Sequence, residues 1–289
     1  MKLLHFLSFI VLSFTILAGC GVEKEVPVDT IAALQAGYND KLLQLKELSK
    51  GHIAGWPSDH DCDAALWAGI SRAAGADWVS VDAGVQPDGR TTRKPLQDCG
   101  PVEEGFPGDS ATTTSNDMIT GLLLGSLAAG DGETVHQMYV YGENNGWIMG
   151  LPKYYVSRVL LRPNGITLMA RILYSLSEGK RDYTIRLAPM VYGPTDGDYE
   201  SHLALLSRYM EQELGGPQYG ASWVENYLAD NFTKDALAQA VAGRYSRAAE
   251  LLVGDYQSPS YVRGSDSYHL VHWLLVAKIV LDRTAVPAD

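Results

Sequence analysis

Ile31, Leu34, Tyr38, Leu42, Leu45 and Leu48 recur at steps of three and four, and Gly51 follows. Only an α-helix brings such positions onto one face, so this stretch must pack that face against other elements. The same pattern returns along the chain. A helix is predicted over 61–74, with Leu66, Ile70 and Ala73 or Ala74 inward and Gly75 as its stop. Others are predicted over 115–129 and from Glu133 to about Gly142. Asn164 is read as the cap of a run to Ser177. Asp198 opens a helix that ends before Gly215-Gly216-Pro217, and 222–229 is a short one. Thr233 opens a segment that breaks near Gly243, and Ser265 or Asp266 opens the last. Leu122, Leu123, Leu124, Leu251 and Leu252 are core candidates.

The period changes once. Trp78 to Asp82 alternates, Pro87-Asp88-Gly89 is a turn signal, and Arg90 to Lys94 reads as a return strand, so a small β-hairpin is predicted near 78–94. With about eight or nine helices, no fixed-period repeat and no Pro- or Gly-rich linker, residues 30–289 form one mainly α domain. Paired antiparallel helices either close into an α/α-toroid or pack as an irregular bundle. The spacing favours the toroid and leaves both open.

The N-terminus is set apart from the fold. A positive charge at Lys2, an apolar stretch from Phe6 to Ala18 and then Leu17-Ala18-Gly19-Cys20 have the form of a signal peptide over 1–19. Its apolar run is short of the roughly 20 residues of a permanent span. The Leu-Ala-Gly-Cys ending resembles the lipobox of bacterial lipoproteins, a family in which the cysteine thiol is acylated. The resemblance implies lipidation of Cys20, a polar tether over 20–29 and attachment to the membrane through that anchor. Gly21 is not the aspartate that favours inner-membrane retention in that family, so the periplasmic face of the outer membrane is implied.

Formal net charge is −11, and loss of Lys2 with the signal keeps the balance acidic. Such a surface repels phosphate backbones and argues against a nucleic-acid partner. In an oxidising compartment the remaining pair, Cys62 and Cys99, is expected to form a disulfide, closing a loop that stabilises the fold by about 4 kcal/mol on the chain-entropy account. A nucleophilic Cys62 is the alternative. No cysteine–histidine cluster suggests zinc, and no cofactor motif is present.

Three polar clusters carry the functional expectation. Asp59, His60, Asp61 and Asp63 surround a helix start; an EF-hand is rejected, because the positions that need Gly and Glu hold Ala64 and Ile70. Helix capping explains one or two of these acids, and a looser cation site stays open. Asp117 follows Ser115 at another helix start, where it serves either as a first-turn acid or as a carboxyl aimed into a cleft. Residues 138–155 gather Tyr139, Tyr141, Asn144, Asn145, Trp147, Tyr154 and Tyr155, rings that stack on sugars beside amides that bond hydroxyls. They serve equally as a buried loop.

Cys62-Asp63, Ser115-x-Asp117-Met118 and Tyr141-Gly142 with Asn145-x-Trp147-x-Met149-Gly150 are similar to motifs in a set of uncharacterised bacterial and phage proteins, a likeness that brings no activity with it. The helix-start acids also resemble those of α/α-toroid glycosidases. That likeness favours a glycoside hydrolase without fixing one; cleavage needs one protonated and one ionised carboxyl about 5–9 Å apart, and the candidates are Asp117 as general acid and Asp61 or Asp63 as base or stabiliser, with His60, Tyr141, Asn145, Trp147 and Arg90 binding substrate. A binding or structural lipoprotein without chemistry is the alternative. Histidines 269 and 272 are read as core or interface.

Overall fold

The computed structural model describes residues 25–52, 55–57, 64–92, 114–150, 163–177, 198–215, 221–254, 256–262 and 266–285. The lipobox, Asp59 to Asp63 and both Cys62 and Cys99 lie outside them. In chain order the helices are α1 (Val28–Leu48), α2 (Ala64–Ala73), α3 (Asn116–Ala129), α4 (Gly132–Asn144), α5 (Pro163–Leu176), α6 (Asp198–Glu213), α7 (Ala221–Asn231), α8 (Ala236–Val241), α9 (Tyr245–Val253) and α10 (Asp266–Thr284). The protein is mainly α. No helix among the described residues is long and apolar enough to cross a membrane.

α10 lies at the centre. Twelve of its residues are buried, from Ser267 to Val280, on every side of the helix. An amphipathic helix keeps one face in water; a helix buried all round must be enclosed. α1, α2, α8 and α9 enclose it. Its apolar run Leu274-Leu275-Val276-Ala277 is what makes that enclosure favourable, at about 2 kcal/mol for each large side chain removed from water.

α2 and α3 approach most closely, and small residues allow it. A Cβ placed on Gly69 would stand 1.9 Å from the Gly121 carbonyl oxygen, and one on Gly121 would stand 2.3 Å from the Leu66 Cα. Gly125 meets the Gly69 Cα and the Val81 side chain in the same way. The obstacles at Gly69 and Gly121 are backbone atoms, which cannot rotate aside as a flexible side chain would. Gly121→Ala is therefore expected to lower stability by about 2–3 kcal/mol. A urea titration checks this: the midpoint falls while the m-value stays unchanged.

Sequence and structure differ at three local points. The hairpin expected near 78–94 is reduced among the described residues to one antiparallel bridge, Val85 with Thr91. Asp82–Gly84 winds into a 3-10 turn instead of extending. Val79 and Val81 alternate because both are buried, with Val81 against Gly125, and not because they pair with another strand. The turn signal is real: Gly89 takes φ +86°, and its N–H donates to the Gln86 carbonyl at 2.8 Å. α5 begins at Pro163, so Asn164 is its second residue and not its cap; proline suits a first helical position, where no N–H is needed. The run opened by Thr233 breaks at Gly243 (φ +78°) as expected, but Asp235 caps it. Its Oδ1 accepts from the Leu237 and Ala238 N–H groups at 2.9 and 3.2 Å.

A buried ionic network locks the second half of the chain. Arg208 on α6 donates to Glu225 on α7 through Nη2 at 2.9 Å and Nε at 3.2 Å, and also to Glu211. Arg171 on α5 reaches Glu211 at 3.5 Å. Gln212 bridges Glu225 and the Val241 carbonyl that ends α8. Two guanidinium groups and two carboxylates tie α5, α6 and α7, a balance of charge that burial demands, and the Gln212 amide joins α8.

Candidate functional site

Four residues expected to bind substrate come together around the C-terminal end of α4. Tyr141 is buried and donates to the Gly150 carbonyl at 3.1 Å. Burial raises its phenol pKa, nearby Asp88 adds to the rise, and Arg90 opposes it. Arg90 and Asp88 thus stand within electrostatic reach of the tyrosine. Gly89 sits tight against the α4 backbone, since a Cβ there would be 2.0 Å from the Gln137 carbonyl. Asn145 donates from its side chain to the Tyr141 carbonyl at 2.8 Å, so this amide is partly committed to ending the helix. The Arg90 Nε is buried without a hydrogen-bond partner among the described residues.

Trp147 is the unusual member. It takes φ 63°, the one non-glycine residue at positive φ among the described residues. Its N–H donates to the Gly142 carbonyl at 2.7 Å, and its ring covers Gly142 so closely that a Cβ there would meet Cε3 at 2.6 Å. Tyr139 stands edge-on to it at 5.2 Å. A left-handed tryptophan costs about 1–2 kcal/mol, which the surrounding contacts must offset.

The start of α3 joins the same region. Thr91 and Thr114 share a hydroxyl–hydroxyl bond of 2.8 Å, and the Thr91 hydroxyl also donates to the Met149 carbonyl at 3.4 Å. Asp117 is buried, 6 % exposed, in the first turn of α3. Ser115 occupies the cap position without a side-chain cap bond. Asp117 thus stands where a first-turn acid was expected, on the helix that Thr114 brings to the Arg90 loop. Its predicted partners Asp61 and Asp63, and His60, lie outside the described residues.

A second polar cluster escaped the sequence reading. The Tyr261 hydroxyl donates to Asp235 Oδ2 at 2.7 Å and lies 3.3 Å from His272 Nε2. On the other side of the ring, His272 Nδ1 is 2.5 Å from the Tyr256 hydroxyl, which is also hydrogen-bonded to Ser258. Burial lowers the His272 pKa to about 3, with a further push from His269. Burial raises that of Asp235, although the bonds from Tyr261, Ala238 and Leu237 act against it. His202 stacks on Tyr261 at 4.4 Å, fully buried, with neither ring nitrogen bonded among the described residues. His272, expected in the core or at an interface, is fully buried. The tyrosines carried no local signal, because their partners are distant in the chain.

No group of three or more His, Cys, Asp or Glu able to hold a metal occurs among the described residues. A cleft of about 390 Å³ between the ends of α2, α3 and α6 has two ion pairs in its wall, Lys278–Asp282 at 2.7 Å and Glu213–Arg283 at 2.5 Å. In comparisons with protein-family models, curated proteins and solved structures, nothing matches this chain.

Proposed function

We propose that this is a lipid-anchored envelope protein, attached through Cys20, that binds glycan at the face built by Arg90, Tyr141, Asn145 and Trp147. The observation that carries the reading is Trp147. A large ring held in a left-handed backbone conformation, half-buried and braced by Tyr139, is strain kept for a purpose. The guanidinium of Arg90, whose buried Nε has no hydrogen-bond partner among the described residues, is the charged group of this face. The helical body is taken as an irregular bundle around α10, not an open toroid, because α10 is packed on all sides.

The test is a glycan array followed by titration of intrinsic tryptophan fluorescence. Trp147→Ala is expected to weaken binding by about tenfold or more, the scale for truncating an aromatic anchor. Absence of binding to every envelope polysaccharide, or equal binding by Trp147→Ala, removes the proposal. Hydrolysis is the second reading, favoured by the burial of Asp117, because a general acid needs a carboxyl kept from full hydration. On that reading Asp117→Asn retains binding and releases no reducing ends, with Asp61 or Asp63 as the partner carboxylate.

A further inference from the structure

A cleft of about 310 Å³ opens between the 231–235 and 257–261 segments, on elements that take no part in the Trp147 face. Its volume is that of a small-molecule site. Asp235 and Ser258 both line it, and they are the two ends of one hydrogen-bonded chain.

The direction of that chain follows from counting protons. The Tyr261 hydroxyl spends its proton on the Asp235 carboxylate, so at His272 it can only accept. His272 therefore carries its proton on Nε2 and accepts at Nδ1 from Tyr256. Tyr256 in turn accepts from Ser258. Every donor points from Ser258 towards Asp235. Ser258 consequently turns lone pairs, not its proton, towards the cleft.

The lining decides the ligand class. Asp235 receives two backbone N–H bonds and the Tyr261 hydroxyl, so its charge is already committed and a cation gains little. An anion would find Lys234 as the cleft's cationic side chain, and the buried Asp235 carboxylate beside it. What remains are the amides of Asn231 and Gln257 and the hydroxyl of Thr233, which donate and accept, and the hydroxyl of Ser258, which accepts, with Phe232 and Pro259 as apolar walls. Such a set matches a ligand with many hydroxyls and no charge.

We propose that this cleft binds a neutral polyhydroxylated molecule of monosaccharide size, and that His272 reports its arrival through the Ser258–Tyr256 chain. The site is independent of the Trp147 face, and the test keeps the two apart. Saturation-transfer NMR on the full chain with D-glucose, D-galactose, N-acetylglucosamine and glycerol is expected to show transfer from at least one of them. Because the Trp147 face is itself read as taking sugars, the comparison is made in the Trp147→Ala background, where transfer from this cleft is expected to persist. Gln257→Ala and Ser258→Ala each weaken it by about fivefold to tenfold, the effect of one lost hydrogen bond. Binding also moves the ¹⁵N resonances of His272 in the intact protein. The proposal is overturned if, in the Trp147→Ala background, none of these compounds gives transfer or transfer survives the added Gln257→Ala/Ser258→Ala pair, if inorganic phosphate competes for the site, or if His272 resonances do not respond.

Discussion

Arg208→Met is expected to lower the unfolding free energy by about 3–5 kcal/mol. The side chain is 9 % exposed and holds Glu211 and Glu225, which are 6 % and 12 % exposed. Methionine fills the space but, among the described residues, leaves Glu225 with the Gln212 amide and Glu211 with a 3.5 Å contact to Arg171. A carboxylate removed from water and deprived of its cation is costly, whereas neutral groups of the same shape are tolerated. Adding Glu211→Gln and Glu225→Gln to Arg208→Met should therefore recover more than half of the loss. Guanidinium titrations of the single and triple variants check both statements. A single-variant loss below about 1 kcal/mol would show that the network is not desolvated as described.

Acidification should destabilise the fold from about pH 6.5 downwards, because two neutral histidines are buried together. His202 and His272 lie 5.9 Å apart, and both pKa values are depressed by burial, that of His272 to about 3. Above pH 6.5 both folded and unfolded chains hold them neutral, and they add no pH dependence. Below it the unfolded chain takes up protons that the folded chain refuses. Each histidine then costs about 1.4 kcal/mol per pH unit, so the pair removes about 4 kcal/mol by pH 5.

The surroundings offer little relief. His202 faces Trp67 on α2, Tyr261 on the 256–262 loop and His272 on α10; His272 faces Tyr256 and Tyr261 and feels His269. The nearby carboxyl is Asp235, reached through Tyr261. Its pKa is raised, so on acidification the folded chain takes that proton first and regains some stability at the lower end of the range. Urea midpoints measured from pH 8 to 5 should fall for the wild-type chain. The slope of His202→Leu should be shallower by about 1.4 kcal/mol per pH unit. Identical slopes would mean that His202 is protonated or solvated in the folded protein.

How much of this was legible differs from feature to feature. The helix of 28–48 and its stop at Gly51 were written in the spacing of Leu34, Leu42 and Leu45 and in a residue that takes φ +82° without penalty. The break at Gly243 and the opening of α10 at Asp266 were legible for the same local reason. The hairpin failed because alternation at Val79 and Val81 records burial on two sides and does not name the partner. Nothing in the spacing put Arg90 beside α4; the Gly89 turn, tight against the Gln137 carbonyl, sets that neighbourhood. The left-handed Trp147 had no signal, because nothing in the chain marks a bulky residue for that conformation. The Asp235–Tyr261–His272–Tyr256 chain could not be read at all.

By itself, the sequence determined a mainly helical body, the places where most helices begin and end, and an acidic surface. Periodicity, caps and glycine stops act over a few residues, so they are visible without knowing the neighbours. Tertiary structure alone decided that α10 is enclosed, that α2 and α3 touch through glycine, and that Asp235 and His272 share a hydrogen-bonded chain. These are relations between residues far apart in the chain, and local free energies do not distinguish one such pairing from another until the core is packed.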